Sequence, residues 1–417
     1  MYKNKNRTSH YNIFLLSLLY LSQGLPFGFQ ATALPIYLRN QGVSLAAIGF
    51  ASALAAPWLL KALWAPLVDR YWSPRIGKRK SWIIPLQIIL FLTIFSASLV
   101  DPSQGMTLLL VQVFLMNLAA ATQDIAVDGL AVDILGDREL GYGNAAQVVG
   151  YKAGMILSGG LLVWLSSFFG WKGYFLIMAC AALLPLPAVL YFREKTRGLE
   201  ELQETLKIRE IISALFVFIK TRGAPAVLIF IATYKFGESM VDIMFKPFLV
   251  DGGLQTGQIG LWVGTWGMGA SIAGSLAGGV VASKMKMKHA LGTALLFRLL
   301  PLGGIFLLSV GSVTPESVIP VTIGEHFFGG MLTTVMFAFM MSMVDKKIGA
   351  THYTLLASIE VVGKAPGAWF SGVMAEALGY RGLFAIGVLL SALVIFLVPL
   401  LPMGVTAAKE DRKPAVS

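Results

Sequence analysis

Two long apolar runs enclose the basic segment Trp64-Ala-Pro-Leu-Val-Asp69-Arg70-Tyr-Trp-Ser-Pro-Arg-Ile-Gly77-Lys78-Arg79-Lys80-Ser-Trp82. A loop with this many cations is costly to move across a bilayer, so it stays on the cytoplasmic side and joins two membrane-spanning helices. Asp69 and Arg70 end one helix and face the Gly-Lys-Arg-Lys turn, and opposite charges there can form a network that breaks when the helices separate. We therefore predict a cytoplasmic gate formed by Asp69, Arg70, Lys78, Arg79 and Lys80. The alternative is a topology anchor with no further role.

The composition of the whole chain is that of a polytopic, all-α membrane protein. Hydrophobic residues make up 56% of the 417 residues and charged residues 13%, and the mean hydropathy is +0.73. Soluble domains carry about 25% charged residues. The net charge of +11 does not indicate nucleic acid, because most of the cations fall in segments predicted to face the cytoplasm.

The single cysteine, Cys180, excludes the structures that need several thiols. A disulfide within the chain, a cysteine zinc site and an iron–sulfur cluster all need more thiols than one. We predict no metal and no cofactor.

Twelve stretches are apolar and long enough to cross a bilayer, which takes about 20 residues for a helix. They lie near 11–38, 44–64, 82–100, 106–130, 143–168, 173–192, 225–249, 258–283, 290–309, 318–344, 352–378 and 380–401. An even number places both termini in the cytoplasm. The charged segment 193–224 predicts a cytoplasmic linker on the membrane surface, between an N-terminal bundle (1–192) and a C-terminal bundle (225–417) with a short tail.

The two halves carry similar short motifs at matching places. The fifth span contains Gly150-Tyr-Lys152-Ala-Gly154, and the eleventh contains Gly363-Lys364-Ala-Pro-Gly367. Such an internal repeat predicts two pseudo-symmetric bundles of six helices with the substrate path between them.

Ionisable residues recur inside the predicted spans, although a charge at the bilayer centre costs a few kcal/mol on insertion scales. Asp124 and Asp128 are four residues apart and therefore lie on one helix face. The seventh span places Lys235, Glu238, Asp242 and Lys246 on one face, and the eleventh does the same with Glu360 and Lys364. Further ionisable side chains in the spans are Lys61, Lys152, Arg298, Glu325 and His326.

One-sided placement indicates that these faces line a bundle interior or a wet cavity. In the functional interpretation a carboxylate binds and releases a proton during transport, and Glu238 is the first choice. The proton-coupling candidates are Glu238, Asp242, Asp124, Asp128, Glu325 and Glu360. The cations suit an anionic substrate, and the substrate-binding candidates are Gln23, Gln30, Lys152, Lys235, Arg298 and Lys364. The alternative is a set of interhelical charge networks that only hold helices together.

Four segments resemble the major facilitator superfamily, in the branch that holds the acetyl-coenzyme A transporters and the AmpG muropeptide permeases. They are Gln23-Gly-Leu-Pro-Phe-Gly28, Leu60-Lys61-Ala-Leu-Trp64-Ala-Pro66-Leu-Val-Asp69-Arg70, Gly77-Lys-Arg-Lys-Ser-Trp82 and Ala121-Thr-Gln-Asp124-Ile-Ala-Val-Asp128-Gly. The stretch from Glu139 to Lys152 is similar to an animal member of the branch. Tyr234-Lys235-Phe-Gly237-Glu238 is similar to the seventh span of the permeases, which carry Asp where this chain has Glu.

The resemblance implies a twelve-helix secondary transporter that works by alternating access. It implies proton-coupled symport of a bulky anionic metabolite such as acetyl-coenzyme A, with import of anhydro-muropeptides as the alternative. Expected partners are the substrate, H⁺ and the lipid bilayer, without nucleic acid. We expect a monomer, in the inner membrane if the source is bacterial.

Two other classes of function are weighed against transport. A membrane enzyme is not indicated, because no His-Glu-x-x-His or Gly-x-Ser-x-Gly motif occurs and the chain has only four histidines. A receptor on a transporter scaffold would bind ligand without net flux, and it would usually add a signalling domain larger than any predicted cytoplasmic segment.

Overall fold

The computed structural model describes residues 2–100, 102–135, 140–194, 223–343 and 349–402. The described chain is helical throughout, and its only β-type pairing is an isolated bridge between Ser73 and Gly77. The predicted linker and the C-terminal tail fall almost entirely outside these residues. The side chain of Asp69 is also outside the described set.

The α-helices follow one another with short breaks. They are α1 (Tyr2–Gly28), α2 (Leu34–Asn40), α3 (Leu45–Ala51), α4 (Ala56–Leu60), α5 (Ala65–Arg70), α6 (Lys80–Ala97), α7 (Pro102–Ile134), α8 (Leu140–Ile156), α9 (Leu162–Leu183), α10 (Pro185–Tyr191), α11 (Ala224–Thr233), α12 (Phe236–Asp251), α13 (Thr256–Ile259), α14 (Met268–Lys284), α15 (Met287–Val310), α16 (Pro315–Ser342) and α17 (Gly349–Leu393). Short 3₁₀-helices cover Ser52–Ala55, Lys61–Leu63 and Val394–Leu400, and π-helical turns cover Phe29–Ala33, Leu157–Leu161 and Gly260–Gly267.

Helical segments lie over all twelve predicted spans, which is consistent with the predicted count. Within the described residues, seven continuous helical stretches are long and apolar enough to cross a membrane, and two of them are 46 residues long. Each long stretch turns at one glycine, Gly170 (φ 66°) or Gly379 (φ 68°). Residues with a Cβ rarely adopt this backbone conformation, so each glycine separates two spans.

The same local sequence surrounds both turns. Gly170-Trp-Lys-Gly173 and Gly379-Tyr-Arg-Gly382 each combine the turning glycine with an aromatic residue, a cation and a second glycine. This correspondence supports the predicted repeat at a position that the motifs around Lys152 and Lys364 do not cover.

Large apolar side chains are exposed along the long helices, as expected where lipid replaces water as the solvent. Examples are Leu92, Leu276, Leu307, Leu389 and Phe396. The chain is therefore a multi-pass integral membrane protein, as predicted from its composition.

The described chain packs as two compact units. Unit 1 contains 1–44, 50–198 and 249–268, and unit 2 contains 45–49, 199–248 and 269–417. Unit 1 buries a core of residues such as Leu15, Leu19 and Val127, and unit 2 buries one that includes Phe230, Leu291 and Phe339. These units follow packing, whereas the bundles 1–192 and 225–417 follow chain order, and the two-bundle division stays a prediction.

Three π-helical turns pack on one another inside unit 1. In the first span α1 runs on through Pro26, and its break comes at the π-turn after Gly28. The backbones approach closely because glycines face each other, and a Cβ on Gly264 would collide with the backbone of Gly159 and Gly160. Such turns are frequent at functional sites.

Candidate functional site

A buried arginine holds together three helices of unit 2. Arg298 of α15 donates through Nε to Glu238 of α12 (3.1 Å), and through Nη2 to the Glu325 carboxylate of α16. Nη1 donates to the main-chain carbonyl of Glu325. The Arg298 side chain is only 3% exposed, and Gly329 leaves room for the guanidinium where a side chain would crowd it.

A second ion-pair group in unit 2 is centred on Glu360 of α17. Its Oε1 lies 3.4 Å from Nζ of Lys235 and 3.3 Å from Nζ of Lys364. Lys235 also donates to the hydroxyl of Thr333 (3.0 Å). The Lys364 side chain is 34% exposed and that of Lys235 15%, so Lys364 is the more accessible of the two lysines.

The two groups carry opposite excess charge. Arg298 has two carboxylate partners, while Glu360 is shared by two lysines. Lys235 interacts electrostatically with both Glu238 and Arg298, which couples the two groups. Nδ1 of His326 lies 2.6 Å from the Glu325 carboxylate and offers a further position for a proton. An external anion can therefore replace a carboxylate as the partner of one of these cations. A proton can then replace the cation as the partner of the released carboxylate.

Asp242 and Lys246 form a separate pair further along α12. They lie one helical turn apart and make an ion pair in which Lys246 is buried and the Asp242 side chain is 46% exposed. Asp242 thus presents a carboxylate at an accessible face, apart from the Arg298 and Glu360 groups.

A polar track runs along α1 and α7 in unit 1. Tyr20 Oη donates to Asp128 (2.8 Å) at one level, and Asn117 donates to Gln30 (2.6 Å) at another. This antiparallel register places Gln23 at the level of Asp124. Gln23 is fully buried, and neither of its amide atoms has a hydrogen-bond partner among the described residues.

Lys61 adds the positive charge of this track. It forms an ion pair with Asp124, and its Nζ lies 5.6 Å from the centre of the Trp58 ring. Trp58 donates to Asn117 (2.9 Å) and packs against Tyr151, the neighbour of the half-buried Lys152 on α8. A cation, amides and aromatic rings therefore line one region of unit 1.

The predicted gate is partly described. Arg79 donates to Asp133 of α7 (2.9 Å), and the Glu194 carboxylate accepts the backbone N–H groups of Arg79 and Lys80. Nζ of Lys80 donates to the carbonyls of Leu190 and Phe192. Lys78 is half-buried, and the Arg70 guanidinium lies 5.8 Å from the centre of the Tyr71 ring.

Sequence reasoning missed the acidic partners Asp133 and Glu194, and it also missed the amides Asn117, Gln87 and Gln123. Gln123 donates to Gln87 (2.5 Å), which in turn donates to Ser22 (2.7 Å). The only sequence signal for the three amides is an uncharged polar residue in an otherwise apolar span. This signal is weaker than that of a charged residue at the same place.

We expect Glu194→Ala to lower the free energy of unfolding by about 0.5–2 kcal/mol, the range for loss of a helix cap. Glu194 accepts the first N–H groups of α6 from a distant part of the chain, and its negative charge also suits the helix N-terminus. Thermal unfolding of the purified protein in detergent measures the loss, with Arg193→Ala as the control. Equal unfolding temperatures for Glu194→Ala and Arg193→Ala would contradict the role of Glu194 as a helix cap.

Comparisons with known proteins identify the family of this chain. Residues 12–192 match the family model described as Acetyl-coenzyme A transporter 1. The chain is 30% identical over 391 residues to the anhydromuropeptide permease of Escherichia coli (strain K12). The alignment covers 92% of this chain and 79% of the permease. The description of the family model and the name of the permease both denote transporters.

Solved transporters share the fold at low sequence identity. A bacterial homolog of the human lysosomal transporter Spinster, in an inward-facing and occupied conformation, has a TM-score of 0.73 at 15% identity, with 99% of each chain covered. A D-xylose-proton symporter has a TM-score of 0.70 at 13% identity, with 94% of this chain and 98% of that chain covered.

These matches confirm the predicted all-α membrane fold and identify a transporter rather than an enzyme. The resemblance that rested on short motifs now extends over most of the chain. The chain belongs to the major facilitator superfamily, in the branch of the acetyl-coenzyme A transporters and the AmpG muropeptide permeases.

Proposed function

We propose that this chain is a proton-coupled symporter that imports an anionic sugar–peptide of the anhydromuropeptide class by alternating access. The observation that carries the proposal is the pair of buried, oppositely charged ion-pair groups in unit 2, with Lys364 accessible at its edge. The relative that spans most of the chain is an anhydromuropeptide permease.

Coupling follows from the energetics of these buried charges. An anionic substrate that approaches Lys364 competes with Glu360 for the same ammonium group. A displaced carboxylate left unpaired in a buried site is costly, since breaking a buried pair costs about 3–5 kcal/mol. A proton bound to the protein offsets the negative charge that the substrate brings, so anion binding favours proton binding.

The balance of charges favours a substrate of low net charge. The described ion pairs of unit 2, His326 aside, join four cations and four carboxylates: Lys235, Lys246, Arg298, Lys364, Glu238, Asp242, Glu325 and Glu360. In unit 1 the two lysines Lys61 and Lys152 equal the two carboxylates Asp124 and Asp128 in number. A substrate with several phosphates needs an excess of cations, whereas carboxylates, hydroxyls and amides suit this mixed set.

Acetyl-coenzyme A is the second candidate substrate. The family model that matches residues 12–192 supports it. Trp58, Tyr151 and Phe27 pack together and could stack on an adenine ring as readily as on a sugar.

Orientation and assembly are part of the proposal. The cations Arg75, Lys78, Arg79 and Lys80 lie close together in the sequence, and by the positive-inside rule this supports a cytoplasmic location for the loop and for both termini. In a bacterium the protein would lie in the inner membrane, and we propose that it works as a monomer. The Arg79–Asp133 pair would then belong to the cytoplasmic gate.

The first experiment identifies the substrate. Purified protein is screened by thermal shift with an anhydromuropeptide and with acetyl-coenzyme A, and each is then tested for uptake into proteoliposomes with an acidic exterior. We expect the anhydromuropeptide to stabilise the protein and to accumulate. Stabilisation and accumulation by acetyl-coenzyme A alone would overturn the assignment of substrate.

We expect Lys364→Gln to raise the KM for uptake at least tenfold, because loss of a charge-assisted contact of about 1.5–3 kcal/mol corresponds to that factor. Arg381→Gln is the matched control, since Arg381 is an exposed cation next to the turn at Gly379. Equal KM values for wild type and Lys364→Gln would show that Lys364 does not bind the substrate.

A further inference from the structure

Two carboxylates of α7 share one cation in unit 1. Asp124 forms an ion pair with Lys61. Asp128 lies one turn away and accepts hydrogen bonds from Tyr20 Oη (2.8 Å) and Gln147 Nε2 (3.4 Å), both of which are neutral donors. Among the described residues, the ion pairs of unit 1 engage Asp124, Asp133 and Asp251, and none engages Asp128.

The groups around Asp128 explain why it differs from the other carboxylates inside the spans. Tyr20 faces it from α1, Gln147 from α8 and Asp124 from its own helix, while Lys61 interacts with it at longer range. Arg79 lies beside Gly129 but is engaged with Asp133. An ionised Asp128 therefore leaves one uncompensated negative charge, since Lys61 can neutralise only one of the two carboxylates.

We propose that Asp128 is the carboxylate that binds the transported proton, and that Lys61 acts as its movable counter-charge. This inference rests on the proposed proton symport and names the site that carries the ion. When Asp128 is protonated, Lys61 stays paired with Asp124, and this ion pair is present in the structure. When Lys61 moves to a position that Asp124 and Asp128 share, it favours the ionised form of Asp128 and the proton leaves to water. Only the O–H bond of Asp128 forms and breaks.

The backbone around Lys61 suits such a movement. Lys61 begins a 3₁₀ segment, Lys61–Leu63, that follows the five-residue helix α4. Gln30 donates to the carbonyl of Ser52 in the preceding 3₁₀ segment (3.1 Å) and anchors the other end of this irregular span. Short segments joined by breaks in the α-helical hydrogen bonding can shift relative to α7 more easily than a continuous helix.

The carboxylates of unit 2 differ from Asp128 in having cationic partners. Glu238 and Glu325 are held by Arg298, and Glu360 by two lysines. Each of these carboxylates already has a cation as its ion-pair partner. Asp128 has none within ion-pair distance among the described residues, and it is the position where a proton removes an uncompensated charge.

Infrared difference spectroscopy of the purified protein, without substrate, tests the proton site directly. Between mildly acidic and mildly alkaline buffer we expect a carboxylic acid band that is present in wild type and lost in Asp128→Asn. Glu316→Gln, which removes an exposed carboxylate at the start of α16, keeps the band. An unchanged band in Asp128→Asn would overturn the proposal, whatever the substrate is.

Tyr20→Phe keeps the experiment decisive if Asp128→Asn does not fold. Loss of the hydroxyl donor disfavours the ionised carboxylate, so the acid band should persist into more alkaline buffer than in wild type. A band with an unshifted midpoint would contradict the assignment to Asp128.

Transport assays then separate this proposal from the proposed function. With the anhydromuropeptide as probe, Asp128→Asn should lose accumulation driven by a pH gradient while exchange of internal for external probe continues. Gradient-driven accumulation that survives in Asp128→Asn would place the proton elsewhere. Absence of gradient-driven accumulation in wild type would instead refute proton symport itself.

Discussion

Replacing Arg298 by methionine is expected to lower the free energy of unfolding by about 3–5 kcal/mol, the usual range when one partner of a buried ion pair is removed. Arg298 is the sole described ion-pair partner of Glu238 and joins α12, α15 and α16. Without it two carboxylates remain in a buried, low-dielectric site. Thermal unfolding and denaturant titration in detergent, at a pH where carboxylates are ionised, measure the loss.

A compensated variant distinguishes lost charge balance from lost packing. Arg298→Met combined with Glu238→Gln and Glu325→Gln removes both uncompensated charges and should recover most of the stability, because a buried ion pair contributes little over neutral groups of similar volume. If the triple variant is as unstable as Arg298→Met alone, the effect comes from packing. Wild-type stability of Arg298→Met would contradict the role of the ion-pair group.

Gly274→Ala is expected to destabilise the protein by about 1–3 kcal/mol, the range for overpacking a tight interior. A Cβ at Gly274 of α14 would collide with the main-chain carbonyl of Phe327 on α16. Small residues at such contacts let membrane helices approach closely, so the methyl group has to push the two helices apart. The unfolding midpoint in detergent and the yield of folded protein report the change.

Gly279 provides the matched control on the same helix. A Cβ there meets no atom within 4 Å, and alanine is favoured over glycine inside a helix by about 0.8–1.0 kcal/mol. Gly279→Ala should therefore leave stability unchanged or raise it. Equal destabilisation by Gly274→Ala and Gly279→Ala would show that intrinsic backbone effects, and not the contact with α16, decide the result.

The helix pattern could be predicted from the sequence because hydropathy and glycine act locally. The long apolar runs determine where helices cross the membrane. The separation of the last two spans near residue 379 coincides with a positive φ at Gly379. In the eighth span Gly274 and Gly278 lie close to the backbone of α16, while Gly269 and Gly279 face open space. The neighbouring helix determines which glycines of a span lie in the contact, so the composition of the span alone does not predict them.

The ion-pair partners of the site could be predicted only in part. The spacing of Glu360 and Lys364 fixes their pairing, because residues four apart on a helix are neighbours. Lys235, Glu238 and Asp242 were expected to share a helix face. In the structure Lys235 lies in the turn before α12, and the three residues pair with Glu360, Arg298 and Lys246 respectively. The first two pairings depend on how α12, α15 and α17 are rotated against one another. Asp133 and Glu194 meet Arg79 from distant parts of the chain for the same reason.

Neutral polar residues were the hardest to predict. Asn117, Gln87 and Gln123 make buried hydrogen bonds in unit 1, but a single amide in an apolar span carries little signal. Their role depends on partners from other helices, which only the packed structure brings together.

Simultaneous measurement of substrate and proton movement tests the central claim most directly. Proteoliposomes that contain a pH-sensitive dye receive an inward gradient of anhydromuropeptide with no initial pH difference. If binding of anion and proton is linked, the substrate gradient must carry protons inward, and the lumen should acidify in proportion to the uptake. Uptake of the substrate without any change in lumen pH would contradict proton-coupled symport.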